Sequence, residues 1–474
     1  MADDVAAPTR AAVVVIGAGI AGSWLAYRLA QRGVRTVLIS DDDRSRPLSR
    51  QAAGMIDRRV IECTVDSAPE VFADGSTTQD PAYPALMVAH ARDEFAELAR
   101  LVEYTRLDGV VVPAPGVRLG AGGDVVDRVA ARFAEFGGVQ LRGRVTDLVM
   151  DGDRCLGVRY DRDGAPGAIR CADVVFASGG FCGLLADGVG TQTGRLLGTY
   201  ARHGGQLVNL ELCNRFALGD LDRRRPLYAF DLPGARLLRA GEPAVDLMYA
   251  VDALAGETCD LDVFTHYWIR NLGVPHTVEL ADGPARLGPI RGFAVGGMAT
   301  ALGPRNVHAV GECAAGLSVD ALSGKPFLSF LVLAAELAKK IGADGVPAED
   351  LDAGPAVRLP DAALVRTITG GLDYCQDNDF TLARVAAFVR WAKEERGRRR
   401  AADPADVESV DLLVLAEAYA RSVAARPESR GFFYRPDFPN TDPRLDNRTT
   451  VSRYDADADE VQVSLAPVRP EVEV

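Results

Sequence analysis

The sequence predicts an α/β protein: a parallel-sheet domain extended by a β-meander, interrupted by an inserted cap and followed by a C-terminal helical domain. Three observations predict it. A strand–glycine turn–helix–strand unit fills residues 12–40. Short strands with Asp-Gly turns fill residues 139–175. Residues 361–425 are helical in pattern, with charge-rich faces at Lys393–Arg400 and Asp406–Glu408.

In the first unit, Ala12-Val13-Val14-Val15-Ile16 is a continuous apolar run, as expected of a strand covered on both faces of a parallel sheet. Gly17-Ala18-Gly19-Ile20-Ala21-Gly22 follows, then Leu25, Ala26 and Leu29 at helical spacing. After Gly33, Thr36-Val37-Leu38-Ile39 reads as the second strand. Gly17 permits the tight turn, Gly19 lets a pyrophosphate approach the backbone, and Gly22 lets the helix close on the sheet. The free N–H groups of the helix start, at Ile20 and Ala21, face a negative ligand. This is a dinucleotide site. Ser40 stands where an acidic residue is usual and Asp41 follows, so either meets the ribose hydroxyls. No arginine stands at that strand end for a 2′-phosphate, which disfavours NADP. The unit alone leaves FAD and NAD open.

A chain of 474 residues has room for roughly two or three domains. The net charge of −13 argues against nucleic acid and anionic membrane as partners. No apolar run reaches the roughly 18 residues that a membrane span needs. The acidic start MADDVAAPTR does not read as a signal peptide, so a cytoplasmic protein is expected. The 8 cysteines form no CxxC pair and the 5 histidines no HxxxH pair. That pattern fits reduced thiols and predicts no metal site.

Further along, Ser49-Arg50-Gln51-Ala52-Ala53-Gly54-Met55-Ile56 strings small residues together, which suits either close approach to something flat or a plain loop. Residues 84–106 and 124–137 read as helices. Segments Val139–Val149, Cys155–Arg159 and Ala168–Val175 read as a meander. It leads into Ala177-Ser178-Gly179-Gly180, where small residues again bring backbone beside a ligand. Thr191-Gln192-Thr193-Gly194 precedes a helix at Arg195–Arg202 and can cap it. Residues 231–290 are rich in Pro, Gly and acidic clusters and read as the cap. Gly311-Glu312 ends another buried strand, and residues 327–341 form a helix apolar almost all round. Residues 448–467 alternate as an edge hairpin would.

Together, Gly17–Gly22, Ala52–Met55, Ala177–Gly180, Gly311–Glu312 and Glu428-Ser429-Arg430-Gly431-Phe432-Phe433-Tyr434-Arg435-Pro436-Asp437-Phe438-Pro439 resemble the flavoprotein superfamily of succinate dehydrogenase, fumarate reductase, L-aspartate oxidase and adenylylsulfate reductase. The last stretch resembles the "ESRG-hYR-DyP" signature of that family's helical domain. The resemblance implies a Rossmann-like FAD-binding domain at 1–230 and 291–345, a cap at 231–290, a helical domain at 360–440 and a hairpin tail at 441–474. It implies FAD as cofactor, with Ala53, Gly54 and Met55 near the redox-active edge of the flavin and Arg144-Val145 beside the adenine. It also places Gly311 and Glu312 at the ribose and flavin edge, and the helix start at Phe327 and Leu328 at the pyrimidine ring. With Gly194, these complete the expected cofactor set. The family's covalent attachment uses a histidine just before Ala52–Met55. Here Arg46, Pro47 and Leu48 stand there, so non-covalent FAD is expected.

The substrate residues depart from the pattern. The dicarboxylate "FHPT" segment aligns with Arg215-Phe216-Ala217-Leu218, "HYT-GG" with Gly292–Gly297, and "RLGGNSL" with Ala321–Phe327. Two histidines and an arginine are missing, and each charge-assisted bond lost is worth ~1.5–3 kcal/mol. A simple dicarboxylate is therefore not the expected substrate. Candidate catalytic groups are Arg215 as an anion grip, Arg291 reaching the same cavity, and Lys325 at the flavin-facing helix start. For each, an ordinary structural arginine or lysine is the competing reading. His266 and Tyr267 of the cap are candidate acids or bases, with aromatic packing favoured; Arg223-Arg224-Arg225 reads as a solvated hinge. The expected activity is oxidation or reduction at a C–N or C–C bond of an amino-acid-derived or other specialised small molecule. Oxygen or an electron-transfer partner serves as acceptor. The alternative is an adenylylsulfate reductase-like or fumarate reductase-like subunit working with a partner, because Glu211-Leu212-Cys213-Asn214-Arg215-Phe216 resembles the "E-xx-NRF" segment of the adenylylsulfate reductase α subunit.

Overall fold

A computed structural model of the chain describes residues 7–41, 48–52, 54–72, 78–107, 109–116, 120–226, 236–239, 242–246, 276–280, 283–315, 325–342, 348–375, 380–431 and 433–468. At its centre are five parallel strands, in the spatial order Val307–Ala309, Asp173–Phe176, β1 (Val13–Ile16), β2 (Thr36–Ser40), Val139–Arg142. Helix α1 (Ile20–Gln31) joins β1 to β2. Successive side chains of β1 enter two different cores. Val13 and Val15 pack with Trp24, Leu25 and Leu29 of α1 and with the helices Tyr83–Leu101, Ala121–Glu135 and Lys325–Lys340. Val14 and Ile16 belong to the core shared with the meander and the helical domain. Two covered faces explain why the run is apolar at every position.

The meander is narrower than the sequence pattern suggests. Its strands are Arg144–Asp151, Arg154–Arg162 and Ala165–Arg170, all antiparallel. The segment expected at Val139–Val149 divides at Gly143, whose N–H donates to Ser40 O at 2.9 Å, so Val139–Arg142 pairs with β2 instead. Likewise Asp173–Phe176 leaves the meander for the central sheet. The expected helix at 84–106 ends at Leu101, and Tyr104–Leu107 is a strand.

A six-stranded sheet carries the described part of the cap, in the order Arg225–Pro226, Cys213–Asp220, Gly283–Ala294, His276–Leu280, Arg236–Arg239, Glu242–Asp246. Strand Gly283–Ala294 runs through the boundary expected at 290/291. His266 and Tyr267 lie outside the described residues. The Arg223-Arg224-Arg225 stretch is not a solvated hinge. Arg223 pairs with Asp220 at 2.7 Å, and Arg224 donates to Gly188 O and Leu185 O, both at 2.8 Å.

The helical domain consists of Ala362–Asp373, Leu382–Ala402 and Val407–Ala425. Asp361 caps the first, accepting from Leu364 N at 2.7 Å. The C-terminal signature holds this domain to the rest. Arg426 is fully buried and pairs with Glu211 at 2.6 Å and Glu428 at 2.9 Å; Glu428 also takes Arg430 at 2.7 Å. Ser429 Oγ accepts from Arg435 N at 2.9 Å and donates to Phe438 O at 2.8 Å. The tail hairpin, Arg448–Asp455 and Glu460–Pro467, forms the edge of a four-stranded sheet with Gln206–Val208 and Gly297–Ala299.

Candidate functional site

All five central strands end at one cavity of about 570 Å³. After β1 come Gly17, Gly19, Ile20 and Ala21; after β2, Ser40 and Asp41. The strand Val139–Arg142 delivers Gly143, Arg144 and Val145. Asp173–Phe176 delivers Ala177, Ser178 and Gly179, and Val307–Ala309 delivers Gly311 and Glu312. Open parallel sheets place ligands at this carboxyl end of the strands. Gly54 and Met55 line the cavity as well; Ala53 lies outside the described residues.

Three helices begin at the cavity wall: α1 after Gly19, Arg195–Arg202 after Gly194, and Lys325–Lys340 through Pro326 and Phe327. No side chain caps the first two by the usual local bond. Thr191 and Thr193 therefore do not cap the second; Gly194, with φ at +69°, makes that turn. Each helix start presents partial positive charge, which suits pyrophosphate and negative charge on a ring. Gly17 has φ at +110°, and a Cβ there would overlap Ala177 O. The residues present therefore fit a dinucleotide of FAD size.

Two of the expected cofactor residues are not at the wall. Gly22 faces the sheet, where a Cβ would overlap Gly17 O and stand 2.9 Å from Ala177 Cβ. It sets the approach of α1, the role its place in the motif predicts. Leu328 is wholly buried in the helix-side core, because one residue beyond Phe327 the helix turns it away from the cavity. Arg291 is also displaced from its expected place. Its guanidinium is buried and pairs with Asp187 at 2.8 Å, while Arg291 O accepts from Val189 N at 2.8 Å. It ties down the 185–190 loop and is absent from the cavity wall. Arg215 stands opposite Arg291 in the cap sheet. Lys325 is the first residue of the helix that brings Phe327 to the wall.

Glu312 is a strongly perturbed acid on this wall. It accepts from Ala294 N at 2.9 Å and from the Gly180 N–H, and burial pushes its carboxyl up to about 7 against those bonds. Several lining residues escaped the sequence reading. Ser49 Oγ accepts from Ile20 N at 3.2 Å; a hydroxyl just before a run of small residues was the available signal. Arg195 pairs with Glu408 at 3.6 Å, and burial pulls its guanidinium down to about 10. Glu408, Leu412 and Val365 reach the cavity from the helical domain, and Leu359 and Pro360 from the segment just before its first helix; no local pattern announces them.

Comparisons with known proteins agree with this architecture. The family described as "FAD binding domain" matches residues 12–214, and "Fumarate reductase flavoprotein C-term" matches residues 405–473. An L-aspartate oxidase of Caulobacter vibrioides is 26% identical, the match covering 94% of this chain and 98% of the relative. A quinol–fumarate reductase structure superposes with TM-score 0.76 at 18% identity, covering 98% of this chain and 99% of its own. Adenylylsulfate reductase from Archaeoglobus fulgidus superposes with TM-score 0.66 at 15% identity, covering 100% and 98%. No helix among the described residues is long and apolar enough to cross a membrane, and none of their His, Cys, Asp and Glu side chains form a metal-binding group. The chain is thus an FAD-dependent oxidoreductase that joins an FAD-binding domain to a fumarate reductase flavoprotein C-terminal domain, and it is similar over nearly its whole length to an L-aspartate oxidase.

Proposed function

We propose that this enzyme holds FAD without a covalent link and oxidises or reduces a C–N or C–C bond of an amino-acid-derived or other specialised small molecule in the cytoplasm. Simple dicarboxylates are not its substrates. The observation that carries the reading is the pairing of a well-formed dinucleotide cavity with a stripped substrate wall. Phe216 and Gly292 stand where the dicarboxylate members carry histidines, and Ala321 where they carry an arginine. FAD supplies two-electron chemistry when bound. Gly17, Gly19, Ile20 and Ala21 are assigned to its pyrophosphate and Ser40 or Asp41 to its ribose. Gly54, Met55, Gly311, Glu312 and Phe327 are assigned to the isoalloxazine end. Non-covalent binding is supported by the wall itself, whose described lining residues include no histidine, cysteine or tyrosine.

Arg215 is assigned the anionic group of the substrate, while Arg291, its cross-strand neighbour, is paired with Asp187. Lys325, at the positive end of its helix, is assigned to negative charge at the ring. In the segment that resembles the adenylylsulfate reductase α subunit, Glu211 is held in the interior by Arg426 and Thr450.

The test is direct. Purified protein is yellow, and denaturation followed by filtration releases the flavin. Mixed anaerobically, it bleaches with amino-acid-derived amines and not with succinate or free aspartate. Once reduced, it is reoxidised by air within seconds if oxygen is the acceptor and slowly if a partner is. Steady turnover of succinate, fumarate or aspartate overturns the substrate assignment.

A further inference from the structure

We propose that the helical domain forms one wall of the cofactor site: Glu408, seated between Arg144 and Arg195, together with Leu412, Leu359 and Pro360, takes the adenosine half of FAD, so that the bound dinucleotide ties this domain to the parallel sheet. The inference rests on the assignment of the cavity to FAD.

The sheet order tells the two ends of the cavity apart. In a glycine-turn βαβ unit the side chain ending the second strand meets the ribose of the AMP half. Ser40 and Asp41 are those residues, so adenosine lies toward β2 and the edge strand Val139–Arg142 beyond it. Glu312, at the end of Val307–Ala309, marks the opposite edge. From the helical domain, Glu408 meets the adenosine end. Glu408 pairs with Arg144, which continues the edge strand, and stands 3.6 Å from Arg195. Arg195 in turn donates to Val145 O and Thr146 O. Leu412 follows Glu408 by four residues and so shares its helix face.

Leu359 adds an independent observation. It is 61% exposed, a large apolar side chain left at the rim of the cavity. Its position is held from the helical domain: Arg358 N donates to Ala405 O at 2.8 Å and the Arg358 side chain pairs with Asp403 at 2.8 Å. A flat purine against Leu359 and Pro360 removes that apolar surface from water, and a carboxylate beside it accepts from an exocyclic amine. A ligand that touches both domains favours their docked arrangement by its own binding free energy.

FMN carries the flavin without adenosine and ADP the reverse, so the pair separates the two halves. Apo-protein is titrated with FAD, FMN and ADP in the wild type, Glu408→Gln and Leu359→Ala. FAD and ADP are expected to weaken about fivefold in Glu408→Gln, as a charged acceptor becomes a neutral one. In Leu359→Ala they weaken roughly threefold to fivefold, while FMN stays within about twofold in both. In the unmodified chain, FAD and ADP slow proteolysis of the 342–361 connection and FMN does not, a readout that stands if Glu408→Gln fails to fold. Equal losses for FMN, unchanged FAD affinity in both variants, or protection by FMN alone overturns the proposal. A wild-type protein that takes up none of the three ligands refutes the FAD assignment itself.

Discussion

Gly22→Ala is a severe small change in the cofactor cradle. The new methyl would overlap Gly17 O and stand 2.9 Å from Ala177 Cβ. Carbon atoms rest about 3.5–4.0 Å apart, so α1 must back away by about 0.6–1.1 Å at that contact. Overpacking of this kind costs ~1–3 kcal/mol. The strain has two outlets. If α1 stays, the free protein is destabilised; if α1 moves, its N-terminal N–H groups leave the pyrophosphate. Because each 1.4 kcal/mol is a factor of ten, FAD affinity is expected to fall about tenfold to a hundredfold, with a small drop in thermal midpoint. The assay is quenching of flavin fluorescence on titration into apo-protein, beside a circular dichroism melt. An alanine variant that binds FAD within twofold of wild type and melts unchanged would refute the packing role of Gly22.

Three further outcomes are expected. In Arg426→Ala, Glu211 and Glu428 lose their buried partner, which costs ~3–5 kcal/mol and lowers the melting temperature sharply; Arg444→Ala, at an exposed pair with Asp442, changes it little. Glu312 has a folded pKa near 7, above its unfolded value, so the folded state binds the extra proton and apo-protein stability falls as pH rises from about 4.5 through 7; denaturant midpoints of Glu312→Gln should lack that slope, and an identical slope counts against the burial argument. Gly370 sits inside the helix Ala362–Asp373 with open space where a Cβ would go, so Gly370→Ala stabilises by ~1 kcal/mol, read as a raised denaturant midpoint of the helical domain.

The sequence alone determined the parts of this protein whose chemistry is local. The run Val13–Ile16 and the glycines that follow need only their neighbours to make a strand, a turn and a helix start, and Gly17 and Gly19 stand at the cavity as their spacing implies. The same holds for Ser40, Ala177–Gly179 and Gly311-Glu312, each the end of a short apolar strand. Tertiary structure decided the rest, because contact across hundreds of residues leaves no mark on local pattern. Arg291 and Arg215 read alike as candidate anion grips, yet only packing shows that Asp187 neutralises the first. Phe327 and Leu328 are adjacent apolar residues of one helix, and the turn between them sends one to the cavity and the other to the core. Glu408 reads as an ordinary helix-surface charge. It becomes part of a ligand wall because the helical domain folds back onto the edge of a sheet whose strands are made near the other end of the chain.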